Sequence, residues 1–421
     1  MVNRRSAIKA MVAAALPAMA GFGARRDGRI VLRFWNGFTG PDGTTTLALV
    51  RQFNRENPDL ELRMQRIEWP VYYRKLYVAG LGGRAPEVFV LHTDSLRRFA
   101  EAGMVRPIDD LVASGFPVSD IDRNVWQAAG LGGKQYGLPI DVHPLCLYYN
   151  RRLLLEAGVD RPPTDLAGFM AVARRVTRPS RDPEQLRWGF SISNPSPTAY
   201  SIMRQFGGRV FTPDASHCTL ASPANVAALQ LLADLVHRER VAAPFMDFDP
   251  WVGFRQGRVG MTWNGIYMLP DLQKQRDLDF AAAPVPRLGK QPAVWGNTHN
   301  FCLKAGLEPR VADAAWRFPR FYSDHALDWA QAGQVPARRS LRASRRFAGM
   351  AAQRHCAAEI PYIAYMPQIP FLFEFQTEFD LAVERALRGT ASAAEALRAA
   401  EDNVNKIIAR RIAEGADGPG R

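Results

Sequence analysis

Gly137-Leu138-Pro139-Ile140-Asp141 leads directly into Pro144-Leu145-Cys146-Leu147-Tyr148-Tyr149-Asn150. A glycine and a proline punctuate the chain just before a short apolar run, the pattern of a strand entered through a tight connection. Asp141 and His143 alternate at its start and so share one face. A chain of 421 residues exceeds the size at which a single core keeps growing, so two domains are expected. This stretch divides the chain into pieces long enough for a core each, and it is assigned as a crossing between two lobes.

Upstream, Ile30, Leu32 and Phe34 alternate with Val31, Arg33 and Trp35 in a strand that ends at Asn36-Gly37. Thr44 opens a helix with Leu47, Val50 and Phe53 on one face, stopped by Pro58. Leu60, Leu62 and Met64 alternate again. A helix carrying Tyr72, Tyr73, Leu76 and Tyr77 runs to Gly80, and Glu87 to His92 is a short strand before a helix over 95–100. Strand and helix alternate, which predicts an α/β lobe with a largely parallel sheet. Downstream the pattern is mixed too: a helix over 165–176, a strand over 188–191, and a helix after Ser222-Pro223 with Leu229, Leu232 and Val236 turned inward. Pro284, Pro286 and Pro292 mark 280–292 as a return connection or edge segment. Ser392 and Glu395 spell a capping box for a helix with Leu397, Val404 and Ile408 along one face.

Hydrophobic residues make up 47% of the chain and charged residues 23%, a balance that excludes global disorder. Residues 1–20 read as a signal peptide: Arg4, Arg5 and Lys9, then an apolar run ending in Ala18-Met19-Ala20, too short to span a bilayer comfortably. The pair Arg4-Arg5 also resembles a twin-arginine signal, with Ala7 where a large apolar residue is usual, so the export route stays open. The expected location is periplasmic or otherwise extracytoplasmic. Loss of residues 1–20 lowers the formal net charge from +13 to +10. The remaining arginines are scattered, with no helix-turn-helix, zinc-finger or basic-zipper spacing, so nucleic acid is not an expected partner. Cys146, Cys218, Cys302 and Cys356 show no C-x-x-C spacing. Buried free thiols are the first reading, with disulfides permitted by an oxidising compartment. The glycines at 80, 82 and 83 and at 130, 132 and 133 lack the context of a phosphate loop.

An ordered set of motifs spans residues 30–410. It comprises Phe34-Trp35-Asn36, Phe53-Asn54-Arg55-Glu56-Asn57-Pro58, Ala85-Pro86-Glu87-Val88-Phe89, and Tyr136-Gly137-Leu138-Pro139 with Asp141. Leu147-Tyr148-Tyr149-Asn150, Glu156-Ala157-Gly158-Val159 and Pro162-Pro163-Thr164 follow, then Phe254, Gly257 and Met261-Thr262-Trp263, Gly296, and Val335-Pro336-Ala337-Arg338. Together they resemble the family-1 bacterial extracellular solute-binding proteins of ABC importers, the maltose-binding-protein-like group. Glu87 stands where that family more often has Asp, Asn264-Gly265 alters the local form of its Gly-x-Trp signature, and Pro319 interrupts a helix that is usually continuous.

The resemblance implies an α/β, bilobal, periplasmic-binding-protein-like fold of type II, with two discontinuous lobes around a ligand cleft. The first lobe is placed at 30–140 plus 293–345 and the second at 141–292 plus 346–415, with a flexible tail at 416–421. It further implies a monomeric carrier, without cofactor or enzymatic activity, that binds a sugar, oligosaccharide or polyol and delivers it to the transmembrane subunits of an ABC permease. A secreted carbohydrate hydrolase and a binding protein for a phosphorylated polyol are the competing readings. The hydrolase requires two opposed carboxylates with different protonation roles, and no such pair is evident.

A sugar cleft needs aromatic faces against C–H faces and polar groups for hydroxyls. Trp35, Trp263, Trp295, Tyr267 and Tyr365 are the candidate platforms, with core packing as the alternative for Trp35 and Trp263. Asn36, His92, Asp94, Asp141, His143, Asn264 and Asn297 are the candidate polar contacts. Asp141 is preferred because a carboxylate accepts two hydroxyl donors. Its alternative is a charge pair that fixes the crossing, and the alternative for Asp94 is a helix cap. Arg338 either pairs across the hinge or contacts an anionic ligand. No catalytic residue is assigned. No metal is expected, because no local His or Cys spacing supplies ligands beyond His143 and Asp141.

Overall fold

Apolar alternation in the first strand is translated directly into burial: Leu32 and Phe34 are fully buried while Arg33 and Trp35 keep some exposure. The computed structural model describes residues 28–182, 185–246 and 248–415. The expected signal peptide at 1–20 and tail at 416–421 lie outside them. Twelve strands matter for the site: β1 (Ile30–Asn36), β2 (Leu60–Arg66), β3 (Val88–His92), β4 (Leu138–Pro139), β5 (Asp141–Asn150), β6 (Trp188–Ser191), β7 (Val259–Gly265), β8 (Phe280–Ala283), β9 (Val294–Asn297), β10 (His299–Leu303), β11 (Val335–Pro336) and β12 (Ile363–Ala364).

They form two lobes. The first holds a five-stranded sheet in the order β2-β1-β3-β10-β4, with β1 parallel to β2 and β3, and β10 antiparallel to β3. The second holds a seven-stranded sheet in the order β12-β9-β5-β7-β6, with β8 and β11 also pairing with β5. The chain changes sheet at Ile140, between β4 and β5, again at Thr298, between β9 and β10, and a third time between β10 and β11. The first two crossings are bound together, since Ile140 N–H donates to the His299 carbonyl. The return crossing therefore falls a few residues beyond 293, because Val294–Asn297 still pairs in the second sheet.

Two large apolar cores form, the first continuous from the first sheet to the face of β5 that bears Cys146 and Tyr148. In the first, Phe34, Phe301 and Phe318 meet with ring centroids 5.0–5.4 Å apart. Phe318 belongs to the helix Pro309–Asp324, which runs through Pro319 without interruption. The first helix starts at Pro41, earlier than Thr44, because proline suits the first helical position, where its missing N–H is not needed. It buries Leu49, Val50 and Phe53, leaving Leu47 only half-buried. In the second lobe, Phe169, Phe190, Trp263, Leu229 and Leu232 pack with the last two helices, Leu372–Leu387 and Ala393–Ala413. The capping box at Ser392 and Glu395 is formed, and Leu397, Val404 and Ile408 are buried.

The cysteines correct one expectation. Cys218 and Cys302 are buried free thiols, but Cys146 on β5 is disulfide-bonded to Cys356, 210 residues away in sequence. The fold brings their Cα atoms to 5.8 Å, within bridging distance. No helix among the described residues is long and apolar enough to cross a membrane.

Candidate functional site

Where the chain crosses between sheets, the strand ends present polar side chains that cannot join either apolar core. They meet around a cavity of about 490 Å³, lined by Gly37, Thr39 and Gly40 after β1, Pro41 and Asp42 at the start of the first helix, and Trp69, His92, His143, Tyr267, Met268, Asp271, Trp295, His299, Ala332 and Gln334. His92 is the last residue of β3, His143 lies near the start of β5, and His299 is the first residue of β10. Their rings are mutual neighbours, with centroids 4.3 Å apart for His143 and His299, 4.7 Å for His92 and His299, and 5.5 Å for His92 and His143.

Three aromatic side chains enclose these imidazoles. Trp69 opens the helix Trp69–Leu81 and stacks on His299 at 5.7 Å, with 16° between the ring planes. Gly37 permits that position: a Cβ there would lie 2.1 Å from the Trp69 ring. Trp295 and Tyr267 each stand 6.4 Å from His143. All three rings retain some exposure, Tyr267 at 37%.

Asp141 lies below the cavity wall, fully buried. Its Oδ1 accepts from His299 N–H at 3.0 Å and pairs with His143 Nδ1 at 3.2 Å. Its Oδ2 accepts from Trp329 Nε1 at 2.7 Å and pairs with His299 Nδ1 at 2.7 Å. Four partners leave this carboxylate no acceptor site for a solute hydroxyl. Burial opposes its ionisation, but attraction to His299 and the hydrogen bonds with His143 and His299 outweigh it and hold the carboxyl well below the usual carboxylate range. Burial pushes His143 down to about 4, aided by His299 and opposed by Asp141. His92 is likewise pushed well below the usual imidazole value by burial and by His299 and His143.

Of the sequence-predicted residues, His92, His143, Tyr267 and Trp295 converge on the cavity, and the others are held elsewhere. Trp263 is 1% exposed and packs edge-on to Phe190 in the second core. Trp35 is half-buried in a separate cluster, with Lys75 Nζ 4.9 Å from its ring. Asn36 is fully buried and accepts from Phe38 N–H. Asp94 accepts from Asn297 Nδ2 at 3.0 Å, and the helix Leu96–Glu101 has no side-chain cap. Burial pushes Asp94 up to about 6. The Asn297 side-chain Oδ1 accepts from Thr93 and Thr298 N–H, tying the return crossing to the turn after β3. Asn264 accepts from Asn194 at 2.5 Å. Arg338 pairs with Asp120 at 2.7 Å and Asp324 at 2.5 Å. The backbone carbonyl of Tyr365 accepts from the Tyr200 hydroxyl, and its own hydroxyl is buried without a partner.

Sequence reasoning missed Trp69, His299 and Gln334. The Trp69-Pro70 pair opening a helix after β2 was an available signal. For His299 and Gln334 no local pattern exists, since both reach the cavity only through the return crossing and the pairing around β5.

Comparison with known proteins adds context to this geometry. The family model described as bacterial extracellular solute-binding protein matches residues 48–350. A maltotriose-binding protein of Pyrococcus abyssi is 23% identical over 303 residues, 70% of this chain and 63% of that protein. An arabinooligosaccharide-binding protein of Bacillus subtilis is 23% identical over 231 residues, 52% of this chain and 50% of its own length. The chain thus spans about half to just under two thirds of these curated relatives. Among solved structures, the sugar-binding protein MalE of Xanthomonas citri is similar with a TM-score of 0.81 at 21% identity, covering 92% of this chain and all of that one. An ABC substrate-binding protein of Listeria monocytogenes in complex with cycloalternan gives 0.80 at 24% identity, covering 90% and 99%. At these identities the structural likeness establishes the bilobal, periplasmic-binding-protein-like fold.

Proposed function

This chain belongs to the bacterial extracellular solute-binding proteins, and we propose that it is the substrate-binding component of an ABC importer that captures a neutral sugar, oligosaccharide or polyol outside the cytoplasmic membrane and presents it to the permease. The observation that carries this reading is the cavity at the crossings, where Trp69, Trp295 and Tyr267 supply aromatic faces around polar groups fixed from beneath. Aromatic faces bind the C–H faces of sugars, and the few converging polar groups set orientation. Relatives named for maltotriose and arabinooligosaccharides support the same class of solute.

The competing readings fit the cavity less well. No Lys or Arg lines it among the described residues, while Asp42 and Asp271 do, an unfavourable setting for a phosphorylated polyol. Arg338 is already held by two carboxylates. For hydrolysis, Asp271 accepts from Trp251 Nε1 and pairs with Arg255 at 3.2 Å, which commits it to structure rather than to proton transfer. The family is one of non-catalytic binding proteins. Closure of the lobes follows ligand binding only if the solute favours the closed state, so scattering should show compaction on saturation.

Calorimetry on ligand-free protein tests the reading, with matched neutral sugars, oligosaccharides, polyols, sugar phosphates and short peptides. A neutral carbohydrate or polyol should bind without turnover, and Trp69→Ala or Trp295→Ala should weaken it at least tenfold. Preference for phosphates or peptides, product formation, or unchanged affinity in both variants overturns it.

A further inference from the structure

We infer that His92, His143 and His299 form a three-imidazole site for a late first-row divalent metal ion such as zinc, set in the wall of the cleft with an open coordination position facing the solute. One ring nitrogen from each histidine lies within 4.8 Å of one from each of the others. Tetrahedral ligation with zinc–nitrogen bonds of about 2.1 Å needs nitrogens about 3.4 Å apart, so the three rings would draw together on an ion from within that 4.8 Å limit.

The orientation of the rings supports ligation. The Nδ1 of His143 and that of His299 are engaged by the two oxygens of Asp141, and the Nδ1 of His92 by the Tyr73 hydroxyl at 2.5 Å. For His143 and His299 the carboxylate holds a proton on Nδ1 and leaves the Nε2 lone pair free, the arrangement that orients metal-binding histidines, while the Tyr73 hydroxyl, which also accepts from His92 N–H, can meet His92 Nδ1 as donor or acceptor. No hydrogen bond among the described residues occupies any of the three Nε2 atoms.

Two independent features of the same cavity point to a ligand. Gln334 is fully buried on its wall, and neither its Oε1 nor its Nε2 has a hydrogen-bond partner. Asp42 lines it without an ion-pair partner, Asp271 being paired with Arg255, and no Lys or Arg lines it among the described residues, which favours a cation over an anion. The three ligands come from strand ends distant in sequence, which is why no local spacing announced them. Three protein ligands leave the fourth position for water or for an oxygen of a bound solute. The site does not depend on the carbohydrate reading, since the protein alone supplies it.

The test uses chelator-treated full-length protein, titrated with zinc by calorimetry and with cobalt by absorption spectroscopy. One ion per chain should bind with a dissociation constant at or below micromolar, and cobalt should give the intense visible bands of a four-coordinate site. His92→Gln should weaken zinc binding at least 100-fold and Tyr73→Phe about tenfold, with circular dichroism confirming that both fold. Absence of saturable binding, six-coordinate cobalt spectra in the unaltered protein, or unchanged affinity in folded His92→Gln overturns the inference. The cobalt spectrum decides the matter even where a variant fails to fold. The solute panel, run on metal-free protein, separates failure of this site from failure of the carbohydrate reading.

Discussion

Two neighbouring strands of the second sheet, paired from Leu145–Gly265 to Tyr149–Met261, put their buried side chains to opposite uses. Along β7, Met261 and Trp263 face the apolar core, and Trp263 meets Phe190 edge-on. At the start of β5, Asp141 and His143 are as completely buried, yet their hydrogen bonds reach His299 and Trp329 and support the cavity wall. Burial alone therefore does not separate core from site. What separates them is whether the buried atoms are apolar or polar, because a buried polar network persists only when its partners are fixed, and fixed partners are what a binding surface requires.

This contrast breaks most visibly at Trp263. Trp263→Ala should cost about 3–5 kcal/mol of stability through the void it leaves, while solute affinity per folded molecule stays within twofold. Thermal unfolding with calorimetry checks both, and a large affinity loss with unchanged melting would move Trp263 from the core to the site. Asp141→Asn sharpens the other side. It keeps the volume but replaces a carboxylate that has four partners, so about 2–3 kcal/mol of stability should be lost, together with solute affinity, because His143 and His299 lose their support.

The pH dependence of metal-free protein gives an effect of similar size. The folded value for His143, about 4, lies below its ordinary value of 6.5, so the unfolded chain takes up the proton first as pH falls. The neutral ring's stabilising share is complete above about pH 6.5 and is lost on descent toward 4, on the order of 3 kcal/mol. His143→Gln should flatten that part of the stability curve, and an unchanged slope would assign it to other groups. Smallest of all should be the stability cost of Trp69→Ala, about 1–2 kcal/mol for a partly buried ring, against its at least tenfold loss of solute affinity.

The two strands also show what could be read in advance. Alternation in β1, the apolar run of β5 and the capping box at Ser392 are local patterns, and local patterns carry the fold. Trp263 and Asp141 were attractive site candidates because each stands at a strand end in a recognisable motif. Which way a strand-end side chain points, however, depends on pairing register, and register is set by partners far away in sequence. His143 could be read from its own strand, but His299 joins it only through the return crossing at Thr298, and Trp69 reaches His299 and His92 because Gly37 clears its path. The disulfide between Cys146 and Cys356 was hidden for the same reason, since closeness across 210 residues is a property of the fold and not of the spacing.

The most direct test of the central claim is a crystal structure of the complex with the tightest-binding solute from the calorimetric panel. The solute should lie between Trp69 and the pair Trp295 and Tyr267, beside the three histidines, with Trp263 and Asp141 untouched. A solute bound elsewhere, or in contact with Trp263 while this cavity holds only water, would contradict the account.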